Sequence, residues 1–358
     1  MKKAFVILLT VAMLAGVVAL SSCGGKSGDA SGGKKEVNVY NWGEYIDESI
    51  FADFEAETGI KVNYSTFQSN EEMYAAMKLG GSDYDVMIPS DYMVQRLISE
   101  NMLEKLDFSN IPNFEMISEE FQNPDYDLKN EYSVPYMWGT VGIIYNSEII
   151  QGEVTSWSAL FDAKYTGQIL MFNNPRDAVG IALKLLGYSL NTTNETEIRE
   201  AFMMLEQQKP ILQAYVMDQI YDKLENNEAV MGPYYAGDYI VMKETNPALT
   251  FVIPDEGSNV FADAMCIPKG ATNKENAELF INFMTSTDVC LANMDMTGYI
   301  SANGEAAAIY GEELDAEDYA VQFPEAHVLG KCEPFHNLPE STLTLYDNLW
   351  VELKSTNK

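Results

Sequence analysis

The chain reads as an α/β protein with two cores and parallel sheets, and three observations lead there. Its 358 residues, 47% hydrophobic and 21% charged, are a globular composition long enough for two separate cores. Strand-like and helix-like segments alternate from Val37 onward, the order that gives parallel sheets with right-handed crossovers. Ser133–Asn146, SVPYMWGTVGIIYN, is a long extended run interrupted by Pro135 and Gly139, suited to crossing from one lobe to the other.

The elements follow in order. Val37–Asn41 alternates as a short strand and runs into Trp42, Glu44 and Tyr45, after which Asp47 caps an expected helix over Glu48–Glu57. Ile60–Thr66 is a second strand, Asn70–Leu79 a helix ended by Gly80-Gly81, and Tyr84–Ile88 a buried strand leading to Pro89-Ser90-Asp91-Tyr92 and a helix over Tyr92–Glu100. Beyond the crossing run come a short helix at Trp157–Phe161, a strand at Gln168–Phe172, and helices over Ala178–Leu186 and Glu195–Gln207. Glu228–Tyr235 leads into a helix after Ala236-Gly237-Asp238, and Phe251–Pro254 and Val260–Pro268 are strands, the second starting a return to the first lobe. Lys274–Met284 and Ser341–Lys354 are helices, and no internal repeat is visible.

Charge and the first segment narrow the setting. The 54 acidic against 22 basic residues give a net charge of −32, which argues against nucleic acid, whose phosphates need Lys and Arg, and is compatible with a cationic ligand. Lys2 and Lys3 precede an apolar run from Ala4 to Leu20, the pattern of an export signal, and Leu20-Ser21-Ser22-Cys23 is similar to the lipobox of bacterial lipoproteins. That likeness implies a signal peptide over residues 1–22, a lipid on Cys23 and a Gly/Ser/Lys-rich tether over 23–35. Of the remaining cysteines, Cys266, Cys290 and Cys332 fit no zinc spacing; they read as packing residues, with a Cys290–Cys332 disulfide left open.

Familiar catalytic machinery is scarce. There is no nucleophile elbow, no phosphate-binding glycine loop and no paired-histidine zinc motif, and no cofactor is expected. What recurs is an aromatic beside a carboxylate at strand ends: Trp42/Glu44/Tyr45, Tyr92, Asp177, Tyr235/Asp238, Phe261/Asp263 and Tyr299. Such a set suits an elongated organic cation. Ring faces attract ammonium groups by about 0.5–2 kcal/mol each and cover methylenes, while carboxylates neutralise the charged ends.

Several blocks carry a family resemblance. VYNWGEYI, FEAETGIKVNYST, SNEEMYAAM, YDVMIPSDYMV, YSVPYMWGT, TSWSALFD, GYSLNTT, INFMTSTDV and GYISAN resemble the spermidine/putrescine-binding proteins of bacterial ABC importers, over most of the chain from about Val37 to Trp350. The resemblance implies a two-lobed periplasmic-binding-protein fold of type II, each lobe a mixed, mainly parallel sheet flanked by helices, with the ligand cleft between lobes. Lobe 1 would comprise residues 36–137 and about 263–311, lobe 2 residues 138–262 and about 312–358. It marks Trp42, Gly43, Glu44 and Tyr45, with Glu44 on one terminal amine, then Ser90 and Tyr92. Asp177 would face the inner amine, Tyr235 and Phe261 would replace tryptophans along the methylenes, Asp263 would pair with the other terminal amine, and Tyr299 would be a wall. Asn174 stands where some members carry aspartate, Gly43 replaces a polar residue, and His336 falls about where a glutamine reaches the ligand.

The function so implied is a lipid-anchored, exported, monomeric subunit, not an enzyme, that captures spermidine or putrescine and hands it to an ABC permease driven by an ATPase. The same fold holding another small organic cation, and a cell-surface hydrolase using two carboxylates, are the competing readings.

Overall fold

A mixed sheet of ten strands forms the centre of the computed structural model, which describes residues 35–80 and 83–355. The expected leader, Cys23 and nearly all of the tether lie outside the described residues. The chain runs β1 (Glu36–Trp42), α1 (Ile50–Thr58), β2 (Lys61–Phe67), α2 (Asn70–Lys78), β3 (Val86–Met87), α3 (Asp91–Ser99), then three short 3₁₀ turns and β4 (Ser133–Asn146). Next come β5 (Ile169–Phe172), α4 (Pro175–Leu185), α5 (Glu195–Gln208), β6 (Leu212–Val216), α6 (Ile220–Glu225), β7 (Met231–Tyr235), α7 (Ala236–Thr245) and β8 (Leu249–Val252). β9 (Val260–Cys266), α8 (Lys274–Met284), α9 (Thr287–Thr297), β10 (Ile300–Ser301), α10 (Gly304–Glu313), α11 (Ala316–Gln322), α12 (Ala326–Leu329) and α13 (Glu340–Ser355) complete it.

Strand order is β2-β1-β3-β9-β4-β7-β5-β6, with β8 and β10 also paired to β4. Two groups of parallel strands flank an antiparallel middle. β1 pairs in parallel with β2 and β3, and β5 pairs in parallel with β6 and β7. β4 joins the groups: Ser133–Thr140 runs against β9, and Val141–Asn146 runs against β7 and β8. The register shifts between Pro135 and Trp138, where proline has no N–H to give the ladder. The long extended run that the sequence suggests is thus one strand at the same bounds.

Some expectations are corrected. The first helix begins at Ile50, because Asp47 Oδ1 takes the Ser49 N–H at 2.9 Å in a turn that precedes it. The Tyr84–Ile88 strand shrinks to Val86–Met87, since Tyr84 instead stacks on Tyr40 with ring centroids 4.1 Å apart. α4 starts three residues earlier than expected: Asn174 caps it by accepting the Arg176 N–H at 3.0 Å, and Pro175 occupies the first helical position, where its missing N–H costs nothing. Asp177 is therefore a helix-start residue rather than a loop residue. The pairing of Cys290 with Cys332, which the sequence leaves open, is not made: Cys266, Cys290 and Cys332 are free thiols, as packing residues would be.

The core is apolar in the way the alternation requires. β5 is buried at every residue, as a parallel strand covered on both faces must be. Trp157 is buried against the second group, its indole N–H donating to the Gly257 carbonyl at 2.9 Å. No helix among the described residues is long and apolar enough to cross a membrane.

Candidate functional site

The parallel strands of each group end on one cavity, the place where open α/β sheets gather ligands. It encloses about 680 Å³ of empty space, part of it open to solvent. β1 delivers Trp42, Gly43, Glu44 and Tyr45; β2 delivers Phe67 and Gln68; the turn after β3 delivers Ser90. From the other group come Asn174 and Asp177 after β5, Met217 and Asp218 after β6, and Tyr234, Tyr235 and Asp238 around the end of β7. Phe261 and Asp263 of β9 and Tyr299 before β10 complete the wall between them.

Twelve of the thirteen ligand residues expected from sequence thus line a single cavity. His336 does not. Its backbone is committed elsewhere, its N–H to Asn191 Oδ1 at 2.7 Å and its carbonyl to Arg176 at 3.2 Å, and it is exposed, while its neighbour Phe335 faces the cavity. Glu44 occupies a left-handed backbone conformation, φ 46°, unusual for a residue with a side chain and found mostly at tight turns and functional sites.

Rings make a continuous arc. Tyr235 meets Phe261 edge-on at 5.4 Å, Phe261 meets Tyr299 at 6.1 Å, and Tyr299 meets Tyr45 edge-on at 4.7 Å. The arc passes from the second strand group through β9 to the first, a surface that can cover methylenes along its length.

Carboxylates punctuate the arc. Glu44, Asp177, Asp218, Asp238 and Asp263 line the cavity, and no Lys, Arg or His does so. Among the described residues none of Asp177, Asp238 and Asp263 has a salt-bridge partner. Asp177 Oδ2 accepts from Asn174 Nδ2 at 2.7 Å and from the Tyr235 hydroxyl at 3.2 Å. Asp238 accepts from the Tyr221 hydroxyl at 2.6 Å and from the Tyr299 hydroxyl. Burial pushes Asp177 up to about 7, with the Tyr235 hydrogen bond pulling down and the Glu71 charge pushing further up. Burial likewise lifts Asp238 to about 7, against the hydroxyls of Tyr221 and Tyr299. Asp263 is lifted by burial to about 6, and the Ser90 and Tyr45 hydroxyls restrain it. Desolvation therefore outweighs the neutral donors at all three, and a nearby cation would reverse that balance.

Three polar atoms of the lining close no hydrogen bond of good geometry: Trp42 Nε1, the Tyr45 hydroxyl and Asp263 Oδ1. The last two are almost fully buried and near enough to act on each other, yet neither fully satisfies the other. Such atoms in a cavity wall are ones a ligand would satisfy. No group of three or more His, Cys, Asp or Glu side chains stands in a metal-holding arrangement among the described residues.

Sequence reasoning passed over Asn70, Gln68, Asp218 and Phe335 as ligand-site residues. Asn70 begins α2, yet its side chain donates to Ser90 Oγ and to the Tyr92 hydroxyl, both at 3.1 Å, and so fixes two lining residues. Asp238 was visible as an acid beside an aromatic but was not among the expected ligand residues.

Comparison with known proteins settles the family. Residues 49–320 match the bacterial extracellular solute-binding protein family. The chain belongs to this family. This solute-binding protein is 34% identical to the spermidine/putrescine-binding periplasmic protein of Salmonella typhimurium over 318 residues, 88% of this chain and 90% of the relative. The protein of that name from Escherichia coli K12 is 33% identical over the same shares. Among solved structures, a Streptococcus pneumoniae spermidine/putrescine ABC transporter substrate-binding protein is similar at a TM-score of 0.73 and 35% identity, over 89% of this chain and 98% of that one. The Tp0655 lipoprotein of Treponema pallidum is similar at 0.78 and 29%, over 89% and 99%. The fold is that of these binding proteins, and the family is one of extracellular solute-binding proteins.

Proposed function

We propose that this solute-binding protein captures a polyamine, spermidine or putrescine, for an ABC importer. One observation carries the reading: the cavity holds five carboxylates and a continuous arc of rings with no basic residue among its lining. That is the complement of an apolar rod with ammonium groups. Relatives named for spermidine and putrescine, and one from Pseudomonas aeruginosa named for putrescine and cadaverine, support the same ligand class.

In this reading residues 36–137 with about 263–311, and residues 138–262 with about 312–358, are the two lobes. The ligand bridges carboxylates on both and favours closure by its differential affinity for the closed state. No bond of the ligand is made or broken. The closed protein delivers it to a permease whose partner subunits hydrolyse ATP, and a lipid on Cys23 holds the monomer at the membrane surface.

A thermal-shift panel tests the ligand class. A ligand at a hundredfold its Kd stabilises the native state by about 2.7 kcal/mol. Spermidine, putrescine and cadaverine are expected to raise Tm in this range and to be recovered unaltered, while anionic amino acids leave Tm unchanged. A panel in which no polyamine shifts Tm contradicts the proposal.

A further inference from the structure

Asp218 lies in the turn between β6 and α6, on the opposite strand group from Gly43, Glu44 and Gln68, which follow β1 and β2. The turns nevertheless meet. Asp218 Oδ2 accepts from Gln68 Nε2 at 3.4 Å, and its Oδ1 accepts from the Tyr234 hydroxyl at 3.1 Å. A Cβ built on Gly43 would fall 2.7 Å from Asp218 Oδ2, so only glycine at this position lets the carboxylate come so near. All of these residues line the cavity. Glu44 and Asp218 also act on one phenol: burial first, then the charges of Asp238, Glu44 and Asp218, hold Tyr221 above the usual tyrosine range.

Resting on the polyamine reading, we infer that Asp218 is a ligand-holding residue that forms, with Glu44, a two-carboxylate pole for one terminal ammonium of the ligand. The pole exists only where the two groups of turns are in contact, because its members come from opposite sides of the cavity. Gln68 and Tyr234 hold Asp218 in place by neutral hydrogen bonds and leave its charge uncompensated, so the charge is available to a cation. Asp177, Asp238 and Asp263 are buried, whereas Glu44 is exposed and Asp218 half-buried, so the proposed pole lies on the solvent side of the cavity.

Calorimetric titration with putrescine and with spermidine tests this on five proteins: wild type, Asp218→Asn, Asp218→Ala, Gly43→Ala and the double variant Gly43→Ala/Asp218→Ala, for which Asp218→Ala is the reference. Asn keeps an oxygen to accept from Gln68 or Tyr234 but removes the charge, so Asp218→Asn is expected to raise Kd about tenfold or more for both ligands. Its ligand-free Tm should match wild type. Gly43→Ala is expected to raise Kd in the wild-type background and to have no added effect once Asp218 is Ala, because the clash is then gone. If wild type binds polyamines and Asp218→Asn binds them with unchanged Kd, Asp218 is no ligand residue and the inference falls alone. If wild type binds no polyamine, the functional reading falls and takes this inference with it.

Discussion

Tyr235 donates its hydroxyl to Asp177 Oδ2 at 3.2 Å, tying a ring of the aromatic arc to a carboxylate of the same cavity. Asn174 donates to the same oxygen at 2.7 Å. Both side-chain donors converge on Oδ2, so neither occupies Oδ1. The pairing of ring and acid thus stiffens the wall.

Removing a charge at either pole should weaken capture. Asp263→Asn and Glu44→Gln are each expected to lower polyamine affinity, by about 1.5–3 kcal/mol for the buried Asp263. The loss at exposed Glu44 should be smaller, because water screens it. Glu312→Gln, at an exposed position outside the cavity lining, is the control and should bind as wild type does. Isothermal calorimetry of the three variants decides; equal affinity in all would remove Asp263 and Glu44 from the site.

Asn174→Asp tests the missing charge. It replaces an N–H donor to Asp177 with a second carboxyl, leaving Asp177 Oδ2 only the Tyr235 hydroxyl and setting two buried carboxyls side by side without ligand. Helix α4 should not suffer, since aspartate caps a helix as well as asparagine. Ligand-free Tm near pH 8 should fall, and the ratio of spermidine to putrescine affinity should rise, because the triamine has one more positive charge to place. An unchanged ratio would show that Asn174 does not set it.

The raised carboxyls make a pH prediction. Asp177 and Asp238 at about 7 and Asp263 at about 6 lie above the value of about 4 they take in an unfolded chain. The folded state therefore holds more protons between these limits. Their contribution to stability is fully present below about pH 4 and is lost as pH rises through 6 to 7. A cationic ligand needs the ionised forms, so binding near pH 6.5 should release protons, and affinity should rise from about pH 5 to about pH 8. Calorimetry in buffers of different ionisation enthalpy reads the release directly. In Asp238→Asn less should be released.

Gly237→Ala sets two effects against each other. In an ordinary helix the change stabilises by about 1 kcal/mol. Here the new Cβ would lie 2.3 Å from Tyr299 Cδ2, and overpacking of that kind costs about 1–3 kcal/mol. The clash should prevail: urea denaturation should show net destabilisation, and the displaced Tyr299 ring should weaken polyamine binding. A more stable variant would mean that the ring moves freely.

The site was legible in sequence where a strand ends in its own functional residues. Trp42 to Tyr45, Ser90 and Tyr235 stand at or just past strand ends, so reading the alternation places them at one edge, whereas Asp263 lies in the middle of β9. Residues that act by reaching across were not legible. Asn70 looks like a helix start, and only the fold brings its amide to Ser90 and Tyr92. Asp218 sits in a turn after β6, a strand whose LQAYV pattern carries too weak an apolar signal to announce itself. His336 failed because a one-residue offset in a long C-terminal segment puts Phe335 on the cavity instead. Asp177 was placed correctly in the chain but wrongly in a loop, although the Asn-Pro pair before it is a helix start signal.

Direct titration of the purified protein with putrescine and spermidine shows whether the cavity walled by rings and five carboxylates holds a polyamine. Saturable binding of one ligand per chain, weakened by Asp263→Asn, is expected. No heat of binding and no change in Tm at millimolar polyamine would mean that it does not.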